Sequence, residues 1–156
     1  MGPSIAALLV DASERFLGDA LGRVDNAGYG GLSVSHAFAV QLIGSGVATI
    51  TALSGAMRMT PQAVSALVNQ LAERGFVVKG RKAHDARARI LTLTGEGDQL
   101  ATVIAIALRN IEREWSDLIG AERLADVAAA LDAYVAGGPD AQAAQARKRL
   151  RRVRIV

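Results

Sequence analysis

The residues with the most specific chemistry sit on one short stretch of the chain. Plotted at about 100° per residue, Gln62, Ser65, Ala66 and Asn69 fall between about 100° and 200° from Val64. Leu67, Val68 and Leu71 lie within about 60° of Val64, so the two sets occupy opposite faces of a helix. The first face is small, polar and uncharged, and fits closely into the major groove of duplex DNA. Gln and Asn amides pair with adenine edges, and a Ser hydroxyl reaches base or phosphate. Thr60 as N-cap and Pro61 at the first helical position open this helix, whose end offers backbone N–H groups to a phosphate. Taken alone, a solvated polar face would read the same way.

A basic hairpin tips the balance. Phe76 to Lys82 and Ala88 to Leu93 read as two short strands, with 83–87 as a charged turn. Arg81, Lys82, Arg87 and Arg89 surround one acid, Asp85. Such a hairpin beside a reader helix is a wing, able to place an Arg in the minor groove where narrow A·T steps deepen the negative potential. Asp85 would pair with Arg89 or Arg87 and stiffen the tip. An exposed pair adds only about 0–1 kcal/mol, so its use lies in orientation.

Charge supports this reading. Net charge is +3, but 58–93 carries +5, 147–156 carries +6, and the remainder carries −8. An acidic body with a basic central block suits a nucleic-acid partner. Other chemistries find little support. Gly44-Ser45-Gly46 lacks the third glycine and the preceding strand of a dinucleotide loop. His36 and His84 are the only histidines and have no ligand-spaced partner, so no metal site is expected. Glu112 and Glu114, two apart on a helix, cannot share a face and read as solvated charges. With no Cys there is no thiol switch or disulfide scaffold. No cofactor and no enzyme activity are expected. No apolar run is long enough for a membrane span, and the first residues carry no basic secretory region, so the expected place is the cytoplasm, on the nucleoid.

The elements that must position these residues follow from periodicity and caps. Helices are expected over about 4–24, 35–43, after Thr49, from Thr60, from Thr94 to about Leu118, and over about 121–135. The chain of 156 residues, 51% hydrophobic, suits one core and a mainly α fold with a small β-hairpin wing. The expected organisation is a single domain over 1–138. Within it, the winged helix-turn-helix spans about 32–93 and the dimerisation helices about 4–24 and 95–136. A basic tail follows over 139–156. The first helix and the last two carry wider apolar stripes than a winged helix needs, which suits an isologous two-fold interface.

Four segments together resemble the MarR family of bacterial transcription regulators. They are Met59-Thr60-Pro61-Gln62-Ala63-Val64-Ser65-Ala66-Leu67-Val68, then Leu71 to Val77, then Asp85-Ala86-Arg87-Ala88-Arg89, then Leu93-Thr94 with Gly97. The resemblance covers roughly Leu32 to Leu100 by motif, and reaches Val135 by helix order. It implies a winged-helix homodimer on pseudo-palindromic double-stranded DNA, commonly a repressor. Gln62, Ser65 and Asn69 would read the major groove, Arg87 would enter the minor groove, and Asp85 with Arg89 would fix the wing. Many members release DNA when a small aromatic or phenolic compound binds between the dimer helices and the winged domain. Tyr29, His36, Phe38 and Trp115 could line such a pocket, though each also suits plain packing. Ala86 stands where many members carry Arg, and the tail from Asp140 exceeds the usual family end. That tail suits phosphates, an acidic lipid surface or plain solvent. Two other functions stay open: a nonspecific architectural DNA binder, and a winged-helix protein-interaction module.

Overall fold

The computed structural model describes residues 2–82 and 85–137, with 81–82 and 85–89 described in backbone alone. The basic tail 139–156 lies outside the described residues. The chain folds as α1 (Ile5–Asn26), α2 (Val34–Gly44), α3 (Ile50–Met57), α4 (Pro61–Glu73), β1 (Val77–Lys82), β2 (Asp85–Leu93), α5 (Gly95–Ile119) and α6 (Ala121–Ala136). It is mainly α with one small antiparallel hairpin, as the periodicity predicts.

Hydroxyl caps set four of the helix starts. Ser33 accepts from the His36 N–H, Thr49 from Ala52, Thr60 from Ala63 and Thr94 from Gly97. Each satisfies one of the N–H groups that a helix start leaves unpaired. At α2 the cap is reciprocal, because the His36 ring also accepts the Ser33 N–H.

The core is built around α2, whose apolar residues run all the way round. Ala39, Val40, Leu42 and Ile43 are buried, against Leu53, Val64, Val68, Leu71, Leu91 and Leu100 from other elements. A helix apolar on every side is a buried helix. Helix α2 packs on α3, α4, α5 and β2. The Leu91 N–H bonds the Ala48 carbonyl at 2.8 Å, tying the hairpin to the link between α2 and α3.

The strand boundary differs from expectation. β2 begins at Asp85, three residues before Ala88. Pairing runs regularly from Val77↔Leu93 to Arg81↔Arg89, then slips so that Lys82 faces Asp85. A slipped register takes up extra residues in one strand and keeps the ladder going. Ladder pairing thus extends past Arg87, where charged residues suggest a turn.

Helices α1 and α6 pack less than their stripes imply. Only Ala20 and Val24 of α1 are buried, and α6 buries no residue. Ile5 (76%), Leu118 (81%) and Tyr134 (80%) stand in solvent in the single chain.

Candidate nucleic-acid interface

Helix α4 divides its residues cleanly. Val64, Leu67, Val68 and Leu71 are buried, which fixes the opposite side outward. Gln62, Ala66 and Asn69 are exposed and Ser65 is half-buried. With Pro61 they line one shallow concave patch. Thr60 is spent as the cap, with Oγ1 accepting the Ala63 N–H at 3.2 Å. Pro61 has no N–H, and the Val64 N–H bonds the Thr60 carbonyl. The helix end therefore offers an outside phosphate the Gln62 N–H, a narrower offer than an uncapped helix start makes.

Three ties hold α4 in place. The His36 Nε2–H donates to Gln70 Oε1 at 2.7 Å, because Nδ1 is already an acceptor for Ser33. Arg74 Nη2 donates to the Gly30 carbonyl at 2.7 Å and its guanidinium lies over Phe76, 5.2 Å from the ring centroid. Lys79 Nζ donates to Asn69 Oδ1. Gln70 and Lys79 carry no mark of a site role in the sequence, because no local spacing records a tie between elements.

The hairpin base is fixed to α5. Thr94 Oγ1 donates to the Gly75 carbonyl at 2.6 Å, and the Thr94 N–H bonds the Phe76 carbonyl at 3.0 Å. Gly97 lies so close that an added Cβ would sit 2.0 Å from the Phe76 oxygen. The side chains of Arg81, Lys82, Asp85, Arg87 and Arg89 lie outside the described residues, and so does any Asp85 pairing. The backbone sets Arg81, near the end of β1, opposite Arg89 in the middle of β2.

Residues 30–88 match the family model described as MarR family. That segment holds α2, α3, α4, β1 and the start of β2. The central segment matches the MarR-family model and folds as a winged helix-turn-helix. The matched family is one of transcription regulators, not enzymes. No curated protein matches the sequence. Solved structures share the fold at low identity. The S. aureus MepR–DNA complex superposes with a TM-score of 0.72 at 15% identity, covering 88% of this chain and 100% of that one. CouR from Rhodococcus jostii RHA1, bound to p-coumaroyl-CoA, gives 0.71 at 20%, covering 86% and 94%. Apo MarR from E. coli gives 0.69 at 12%, covering 86% and 98%.

Outside the MarR-family segment, α1 and α5 enclose a hollow of about 400 Å³. Leu8, Phe16, Ile111 and Trp115 supply apolar lining, and Asp11, Arg15, Asp19 and Glu114 supply charge. Of the four aromatic and imidazole residues considered for a ligand, Trp115 alone lines it. Tyr29 packs on Phe76 with ring centroids 5.9 Å apart. Its phenol is pushed above the ordinary tyrosine value, first by partial burial and then by its bond to Glu96. Phe38 packs half-buried against the core, and His36 serves α2 and α4. Glu114 is not a lone solvated charge: Arg23 Nη2 donates to both its oxygens, at 2.7 and 2.9 Å. Among the described residues no cluster suits a metal ion, and no helix is long and apolar enough to cross a membrane.

Proposed function

We propose that the chain is a sequence-specific regulator that binds double-stranded DNA as a homodimer on a pseudo-palindromic operator. The observation that carries this is α4: its apolar half is sealed in the core while Gln62, Ser65, Ala66 and Asn69 form one exposed, uncharged patch. A face without charge distinguishes bases better than it grips phosphates, which favours sequence reading over architectural binding. Thr60 and Pro61 set the start of that face. Arg81, Lys82 and Arg89 of the wing supply backbone contacts, Arg87 enters the minor groove, and Asp85 with Arg89 holds the wing. The fold shared with the MepR–DNA complex supports the same use.

Homodimerisation draws support from the apolar residues that α1, α5 and α6 leave in solvent. Two reader helices would then engage half-sites about one turn of DNA apart, 10–10.5 base pairs. The regulator acts as a repressor in the cytoplasm, on the nucleoid, released by a small aromatic or phenolic effector. The CouR complex with p-coumaroyl-CoA and the hollow beside Trp115, within the size range of small-molecule sites, support an effector of that class.

Genomic footprinting followed by gel shifts on the sites found tests the proposal. Discrete footprints with two half-sites, released by phenolic acids or their thioesters, are expected. Even coverage without discrete sites would instead indicate an architectural binder. Absence of salt-dependent binding would indicate a protein-interaction module.

A further inference from the structure

We propose that Lys79 sets the base preference of Asn69, making the two residues a donor-only reader that selects guanine. The assignment rests on the sequence-reading function above and names its chemistry at one position. Lys79 lies on β1, and its Nζ donates to Asn69 Oδ1 on the reader helix. An ammonium has three donors and no acceptor, so the amide atom it meets is the oxygen. The Asn69 N–H donors are then what remains for a base.

That changes what Asn69 can pair with. An asparagine that pairs with adenine needs both halves of its amide: N–H to N7, and the oxygen to accept from the N6 amino group. Here the oxygen is engaged, and the adenine amino group would meet donors on both residues. Guanine offers two adjacent acceptors, O6 and N7. One can accept from the Asn69 amide and the other from a remaining N–H of Lys79. Thymine offers one acceptor and cytosine only a donor, so both rank below guanine. Asn69 and Lys79 are both exposed, so a base edge can reach the pair and neither side chain holds the core. Lys79 acts here as a positioning residue as well as a donor.

The test is selection of bound duplexes from a fully randomised pool at one salt concentration, using the full chain and three variants. In the native chain, the position whose preference is lost in Asn69→Ala should be guanine. Lys79→Met keeps the stem, removes the donors and frees Oδ1. The same position should shift from guanine toward adenine by on the order of ten-fold in relative enrichment. Lys79→Arg keeps donors and should keep guanine. Adenine at that position in the native chain overturns the assignment. So does a Lys79→Met profile that keeps every base preference and loses affinity evenly, as a phosphate contact would. A pool that yields no enriched site at all overturns the sequence-reading function and this assignment with it.

Discussion

His36 Nε2 lies 2.7 Å from Gln70 Oε1, joining the first turn of α2 to the reader helix. Just past the end of α4, its C-cap residue Arg74 bonds the Gly30 carbonyl at 2.7 Å. Residues 30–36 thus hold the C-terminal half of α4, and its N-terminal half is left for DNA. Gln70→Ala removes one of these ties. It should cost about 0.5–1.5 kcal/mol, read as a fall of a few degrees in Tm. Operator affinity should weaken with base preference unchanged. An altered preference in a duplex selection would make Gln70 a reader itself.

Gly97 is required by a close approach between α5 and the hairpin base. A Cβ there meets the Phe76 carbonyl at 2.0 Å, and backbone on both sides leaves little room to yield. Gly97→Ala should destabilise by about 3 kcal/mol, the upper end of ordinary overpacking. Chemical denaturation measures this. A variant as stable as the native chain would show that the hairpin base can move away from α5.

The pair between Arg23 and Glu114 links α1 to α5. The guanidinium bonded to both oxygens holds the Glu114 carboxyl below the ordinary glutamate value, against a smaller opposing effect of desolvation. A carboxyl lowered in the folded state stabilises at neutral pH, and this is lost as pH falls below about 4.5. Arg23, raised by the same pair, stays charged across this range, so Glu114 alone sets the pH dependence. Both side chains are substantially exposed, so the effect should be small and weakened by salt. Thermal unfolding from pH 7 to pH 3 should show a shallower acid decline for Glu114→Gln than for the native chain. Matching declines would remove the pair from the stability of the α1–α5 contact.

Leu131 and Tyr134 on α6, and Ile5 and Leu8 on α1, are exposed apolar residues that homodimerisation would cover. Leu131→Arg combined with Tyr134→Ala should convert a dimer to a monomer in light scattering at micromolar concentration. The single chain should keep its helical signal, because α6 buries nothing within it. A dimer that survives both changes would place the interface elsewhere.

Much of this molecule is written locally. Ser33, Thr49, Thr60 and Thr94 mark helix starts because a hydroxyl cap acts within its own first turn. The two faces of α4 are legible because a helix repeats faster than its sequence changes character. The start of β2 is not, because a register slip carries pairing beyond residues that read as a charged turn. The stripe on α1 predicts apolar contact but not its partner, so Ile5 and Leu8 stand exposed in the single chain. The ties of Lys79 to Asn69, His36 to Gln70 and Arg23 to Glu114 span 10, 34 and 91 positions. Each depends on how elements dock, which no local spacing records.

The most direct test of the central claim is competition binding at fixed salt, with a selected operator against random duplex of equal length. If the exposed face of α4 reads bases, the operator should win by a factor of about 10³ or more. A ratio near one would mean that the face contacts DNA without distinguishing its sequence.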